Sequence, residues 1–139
     1  MKKLTKIAAA IIAAMTMATS MVGISASAAC TPTKSRSTDY GTMTGSISIS
    51  STTPRTITLK TTTALTAYKL SCNADIDVRS TGELVFQMSK TEYNSTEAKK
   101  VSTRALYVDL EVSAFGAHQA QKANGTAWVV YTSYYPFTI

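Results

Sequence analysis

The sequence has few of the residues that build metal and catalytic sites. It contains two cysteines and one histidine in 139 residues. No CxxC pair or Cys/His cluster is present, which argues against a zinc site. His118 has no nearby cysteine nucleophile and no clear acid–base partner, so we expect it to be a hydrogen-bonding residue of a loop or a strand end. The sequence therefore predicts no catalytic residues and no cofactor.

Motifs of the common enzyme classes are also missing. The sequence contains no P-loop, no dinucleotide-binding glycine pattern and no HExxH motif. It contains no GxSxG motif of a serine hydrolase either. It has no run of cations longer than Lys99-Lys100, whereas a nucleic-acid-binding protein needs a basic patch or stripe. We therefore expect a non-enzymatic protein that does not bind nucleic acid.

Residues 1–28 have the layout of a secretory signal peptide. Three lysines lie among the first six residues, an apolar stretch covers residues 7–24, and Ala26-Ser27-Ala28 supplies small side chains for cleavage. We expect this helical segment to be removed, which leaves a secreted protein with no stable membrane anchor. Three of the 14 basic residues leave with it while all eight acids remain, so the net charge falls from +6 to +3.

Two other fates of this segment are less consistent with its composition. Thr16, Thr19 and Ser20 dilute the apolar stretch, which argues against a retained membrane anchor. Lipid attachment at Cys30 is the minor alternative, but bacterial lipoprotein signals usually have a larger aliphatic residue where this sequence has Ser27.

The two cysteines, Cys30 and Cys72, are the minimum for one disulfide. Thiols tend to oxidise outside the cytoplasm, so we expect this bond to form. Closing a loop of about 42 residues stabilises a fold by roughly 4 kcal/mol on the chain-entropy model. The alternatives are a buried free thiol at Cys72 and a lipidated Cys30.

Alternation of apolar and polar residues predicts β-strands after a flexible lead at residues 29–39. The clearest run covers residues 68–79, where Tyr68 to Val78 place every second residue on an apolar face. A turn at Asn124-Gly125 precedes the last strand, which we expect to end at Pro136. Between the strands we expect a polar loop at residues 90–100. The predicted strands lie near residues 43–49, 57–59, 68–79, 84–88, 106–114 and 126–135.

These strands predict an all-β domain over residues 40–139. No helix is available to cover a sheet, so the apolar faces need a second sheet. An antiparallel β-sandwich of six to seven strands is the simplest solution, and a small β-barrel is the alternative.

Four acids lie on the polar faces of two predicted strands. Asp75 and Asp77 share one face, as do Asp109 and Glu111. If the two strands were neighbours, these carboxylates could converge on Ca²⁺, which favours oxygen ligands. The competing interpretation is that they form the solvated sides of amphipathic strands.

The C-terminal segment is rich in aromatic residues. Trp128, Tyr131, Tyr134 and Tyr135 fall within eight residues, and strict alternation prevents all of them from facing inward. Flat rings with polar tips suit a glycan or a cell-surface protein. We therefore expect these four residues to be the ligand-binding candidates.

The chain resembles small secreted β-rich proteins of Gram-positive bacteria, through its lysine-rich signal, its Thr/Ser-rich domain and the segment 114–119 before an aromatic strand. Through Ser133-Tyr134-Tyr135 it also resembles secreted β-sandwich bacteriocins of the lactococcin 972 type. The first resemblance implies no known activity, and the second implies a toxin. We expect a secreted binding or surface-interaction protein, with a carbohydrate-binding module and a bacteriocin-like toxin as alternatives.

Overall fold

The computed structural model describes residues 31–50, 54–104 and 111–138. These residues form an all-β fold without helices, which confirms the predicted fold class. None of them belongs to a helix that is long and apolar enough to cross a bilayer. The predicted signal peptide lies outside the described residues. The strands are β1 (Thr33–Thr38), β2 (Gly41–Ile49), β3 (Arg55–Val78), β4 (Leu84–Arg104), β5 (Glu111–Gln121) and β6 (Ala127–Thr138).

Strands β3 and β4 form one long antiparallel ribbon that folds over near its middle. Their register shifts between Thr62 and Ala67, where β3 has extra residues relative to β4. The Thr61 hydroxyl donates to the carbonyl oxygen of Ser71 at 3.0 Å, so the two halves of β3 face each other. The sequence predicted two separate strands here, near residues 57–59 and 68–79. The alternation of apolar and polar residues is interrupted where β3 folds, and the interruption was interpreted as a break between strands.

The other strands pair along β3 and bring the sheet almost to closure. β2 pairs with the first half of β3, and β5 pairs with the second half. The sheet order is β1-β2-β3-β5-β6, with β4 on β3. A bridge between Thr31 and Ser133 joins the start of the described chain to β6. The six-stranded antiparallel sheet is therefore nearly barrel-shaped.

The core lies between the facing halves of the sheet. Ile57 and Leu59 point inward from the first half of β3, and Leu70 and Ile76 point inward from the second half, each with no exposed surface. The inward positions are thus odd-numbered before the fold and even-numbered after it. Tyr68, which the sequence assigned to the inner face, departs from this pattern: it lies beside the fold and is 43% exposed, while its neighbour Ala67 is buried.

Polar residues form more of the sheet than the sequence indicated. Strand β1 lies within the predicted lead and pairs with β2, but it has no apolar residue to produce a signal. Residues 90–100 are part of β4 rather than a loop. Most side chains of β4 are exposed, so its polar residues incur no cost of burial.

Two predicted strand ends are wrong. Strand β5 continues past residue 114, where the sequence predicted its end, to Gln121. Strand β6 continues past Pro136, which lies in a register shift where its missing N–H does not interrupt the ladder. The predicted turn at Asn124-Gly125 is confirmed, with a φ of +94° at Gly125.

Candidate functional site

One end of the barrel gathers aromatic side chains from four parts of the chain. Three chain reversals meet there: the β1–β2 turn, the fold of the β3–β4 ribbon and the β5–β6 turn. We call this surface the aromatic end. It consists of Tyr40, Leu65, Tyr68, Lys69, Tyr93, Lys122 and Trp128.

Tyr40 connects the three reversals by hydrogen bonds. Its carbonyl oxygen accepts from the backbone N–H of Leu65 at 2.9 Å. Its hydroxyl oxygen accepts from the backbone N–H of Tyr68, and its O–H donates to the carbonyl of Gln121, both at 3.3 Å. These bonds hold the exposed side chains of the aromatic end on a fixed backbone.

The four rings form two edge-to-face pairs. Tyr40 and Trp128 have centroids 6.0 Å apart at an angle of 77°. Tyr68 and Tyr93 have centroids 5.9 Å apart at 78°. Such geometry places the positive edge of one ring against the negative face of the other.

A lysine lies over one ring of each pair. The Lys122 ammonium is 5.7 Å from the centroid of Trp128, and the Lys69 ammonium is 5.9 Å from that of Tyr93. Both distances allow a cation–π attraction. Lys122 also pairs with Asp39, and the hydrogen bond to that carboxylate raises the pKa of the lysine. The aromatic end therefore combines apolar rings with two positive charges and one paired acid.

The aromatic end exposes three large side chains to solvent. Leu65 is 60% exposed, Tyr93 is 57% exposed and Tyr68 is 43% exposed. Tyr40 and Trp128 are half-buried and pack against the core. The surface is therefore built on rigid rings with an apolar tip at Leu65.

The predicted aromatic candidates do not form one surface. Trp128 belongs to the aromatic end, whereas Tyr134 packs against the core near the opposite end of β6. Six residues of strand separate the two by about 20 Å. Tyr131 points outward and is 43% exposed, and the side chain of Tyr135 lies outside the described residues.

Sequence reasoning missed Tyr40, Tyr68 and Tyr93 as site residues. They are distant in the sequence from Trp128 and from one another, and Tyr68 was assigned to the core. Only the fold of the β3–β4 ribbon places them together, and no local sequence signal marks that fold.

The acidic residues are arranged only partly as the calcium hypothesis requires. β3 and β5 are indeed neighbours, but Glu111 forms an ion pair with Arg79 at 3.1 Å. Asp75 is 8% exposed and accepts a hydrogen bond from Gln87 at 2.8 Å. Burial and the charge of Asp75 raise the pKa of Asp77. The fourth predicted ligand, Asp109, lies outside the described residues, which contain no group of three or more metal-ligating side chains.

His118 lies inside the barrel rather than in a loop or at a strand end. It occupies the middle of β5 with no exposed surface. Its Nδ1 is 2.9 Å from the hydroxyl of Thr61, and its Nε2 is 2.8 Å from that of Thr132. Gly45 lies directly against the ring, where any Cβ atom would collide with it. The imidazole therefore fills the core and leaves no space for a substrate.

The hydrogen bonds of His118 assign its tautomer. The Thr61 hydroxyl donates its only proton to the carbonyl of Ser71, so it accepts from His118 and Nδ1 carries the proton. Nε2 then accepts from Thr132. Burial lowers the pKa of His118 to about 4, with the backbone of Lys60 opposing part of that shift. The ring is neutral and structural at physiological pH.

Cys72 is a free thiol among the described residues, and no disulfide is seen there. The Cys72 side chain points into the core, with its sulfur 3.6 Å from the carbonyl oxygen of Ala98. Burial raises the pKa of this thiol to about 11. Its partner in the prediction, Cys30, lies outside the described residues. A thiol in this environment is chemically inert and contributes by packing.

Comparison with known proteins gives no family assignment. No family model matches the sequence, and no similar curated protein is found. The functional interpretation therefore depends on the residues and geometry described above.

Proposed function

We propose that this protein is a secreted, non-enzymatic domain that acts by surface contact, and that the aromatic end is its contact surface. One observation carries the proposal: three of the seven large hydrophobic side chains exposed among the described residues lie at this one end. Clustered apolar exposure marks interaction surfaces, whereas single exposed residues need no explanation.

The buried titratable groups support a role without catalysis. His118 and Cys72 have the most strongly shifted pKa values among the described residues, and shifted values often mark active sites. Here both groups are enclosed in the core, and burial is the main cause of each shift. Neither group can reach a substrate in this arrangement.

The composition of the aromatic end supports an amphipathic partner. Tyrosine and tryptophan bury a large area at a low entropic cost and retain a polar tip, which makes them common at the centre of binding surfaces. The hydrogen bonds of Tyr40 fix the backbone beneath them. Such a surface binds with little reorganisation.

A carbohydrate-binding site on β5 and β6 is a second candidate, favoured by a separate pair of exposed rings. Phe115 and Tyr131 are 40% and 43% exposed and lie on the same outer face of neighbouring strands. Asn73 and Gln119 flank this face with amide groups. Rings beside amides are the usual components of a sugar site.

The test compares two exposed tyrosines on different surfaces. The labelled protein is added to intact Gram-positive bacteria, and bound fluorescence is measured by flow cytometry against protein concentration. We expect Tyr93→Ser to weaken binding by about tenfold, which corresponds to the loss of a central contact residue. The matched variant Tyr131→Ser should bind as the wild type does.

Each alternative result has a defined meaning. Loss of binding in Tyr131→Ser alone would favour the outer face of β5 and β6 and a glycan partner. Failure of the wild-type protein to bind any cells would contradict the proposal of surface contact. Circular dichroism of both variants provides the control for folding.

A further inference from the structure

Leu65 lies at the tip of the folded β3–β4 ribbon. The fold falls between the pairs Thr62–Glu97 and Ala67–Ser95, and the three consecutive residues 64–66 are all exposed. Leu65 has the largest exposed fraction among the large hydrophobic residues described. An apolar side chain at the tip of a rigid fold is placed for insertion into an apolar phase.

Aromatic rings and lysines follow Leu65 in a definite order. Tyr68 and Tyr93 come next along the ribbon, and Lys69 lies opposite Tyr93 in the register. From the tip, the apolar side chain therefore comes first, and the aromatic rings and the lysine lie together behind it. A bilayer presents acyl chains first and then an interface of carbonyl groups and phosphates, and tyrosine, tryptophan and lysine all favour that interface.

The charges of the aromatic end suit a negatively charged surface. Lys122 is paired with Asp39, whereas Lys69 has no ion pair among the described residues. Glu92, near Lys69 on β4, is neutralised by Lys90 at 2.8 Å. Glu97 lies on the other side of the fold, next to Thr62 in the register and near Lys99 on β4. Each unpaired lysine near an anionic membrane raises the binding constant by about fivefold.

We propose that the aromatic end docks reversibly onto an anionic lipid bilayer, with Leu65 inserted at the level of the headgroups. This inference rests on the proposed function and names the partner of its contact surface. The lysines and ring edges argue for lipid over sugar at this end. Lys122 and Tyr40 lie against the Trp128 ring, while Lys69 and Tyr68 lie against the Tyr93 ring, so these rings are less open to sugar stacking.

The protein contains its own probe for this interaction. Trp128 is the only tryptophan and belongs to the aromatic end. The protein used lacks residues 1–28, the predicted signal peptide. Vesicles of phosphatidylcholine alone, or mixed with phosphatidylglycerol, are titrated while tryptophan emission and cosedimentation are measured.

A matched pair of variants separates docking at Leu65 from general hydrophobicity. Leu65→Glu replaces the tip, whereas Leu84→Glu makes the same change at a 50%-exposed leucine at the far end of the ribbon. We expect a blue shift of emission on mixed vesicles and at least about tenfold weaker binding for Leu65→Glu, since burying one leucine is worth that much. Leu84→Glu should bind as the wild type does.

The charge contribution has its own variant. Lys69→Gln should bind mixed vesicles about fivefold more weakly and should leave binding to phosphatidylcholine vesicles unchanged. Equal losses on both kinds of vesicle would contradict the electrostatic part of the proposal.

The remaining outcomes distinguish this inference from the proposed function. If the wild-type protein does not bind mixed vesicles, or if Leu84→Glu loses as much as Leu65→Glu, lipid docking is wrong. If vesicle binding fails while Tyr93-dependent binding to cells persists, the contact surface stands and its partner is a wall glycan or a protein. If both kinds of binding fail, the proposed function fails as well.

Discussion

His118 shows how a chemically versatile residue can serve only the fold. Its two ring nitrogens connect Thr61 on β3 with Thr132 on β6, and its ring lies against Gly45 on β2. A buried polar group without partners costs one to several kcal/mol, so this side chain belongs in the core only because both nitrogens are hydrogen-bonded. The network makes these three strands dependent on the neutral form of the ring.

Stability should therefore decrease when His118 is driven towards its charged form. Its folded-state pKa is about 4, below the ordinary 6.5, so the unfolded chain takes up the proton first as the pH falls. The free energy of unfolding should drop by about 2 kcal/mol between pH 7 and pH 5 from this residue alone. Urea unfolding across that range measures the drop.

The variant His118→Gln provides the control for this pH dependence. It removes the titrating group and keeps a polar side chain, so its stability should be lower at pH 7 but flatter between pH 7 and pH 5. An unchanged slope in the variant would show that other groups cause the dependence.

At the scale of residues, the sequence predicted the interactions of a side chain better than its position in the fold. It correctly identified His118 as a hydrogen-bonding residue but placed it at a strand end, because Ala117 to Lys122 contain few apolar residues. In the structure the alternation continues through small side chains such as Gly116 and Ala120, both buried. Small and polar core residues carry little hydropathy signal.

At the scale of elements, the folded ribbon of β3 and β4 determines where the candidate site lies. Strict alternation predicted most of the inward residues on each half of β3. It did not predict the fold between Thr62 and Ala67, because residues 62–67 contain no glycine or proline to mark a turn. For this reason the sequence did not predict the aromatic end as a whole, although it identified Trp128 as a ligand-binding candidate.

Asn94 supports the fold of the ribbon from the β4 side. It is the only non-glycine residue with positive φ among the described residues, at 49°, and it precedes the register shift. Asparagine tolerates this conformation, whereas a β-branched residue does not. We expect Asn94→Val to lower the free energy of unfolding by about 1–2 kcal/mol.

Substitution with glycine distinguishes backbone strain from side-chain contacts at Asn94. Asn94→Gly keeps access to positive φ and should change the free energy of unfolding by less than about 0.5 kcal/mol. Urea unfolding of both variants measures the difference. Equal destabilisation by valine and glycine would mean that the side chain of Asn94, rather than its backbone, matters.

At the scale of the whole molecule, the polar strand β1 brings the sheet close to a closed barrel. It pairs with β2 along six residues, and its neighbour Thr31 bridges to Ser133 on β6 with a hydrogen bond of 2.8 Å. Arg36 reaches the carbonyl oxygen of Val129 on the same strand. β1 therefore covers edges of β2 and β6 that would otherwise be available to pair with other chains.

Removal of β1 should therefore expose two edges at once. We expect a protein that begins at Tyr40 to lose at least about 2 kcal/mol of unfolding free energy, because several backbone hydrogen bonds disappear together. Exposed edges also promote pairing between chains, so the truncated protein should self-associate in light scattering after gel filtration. A protein that begins at Thr31 keeps β1 and is the matched control. If both proteins were equally stable and monomeric, β1 would be needed neither for the stability of the fold nor to prevent self-association.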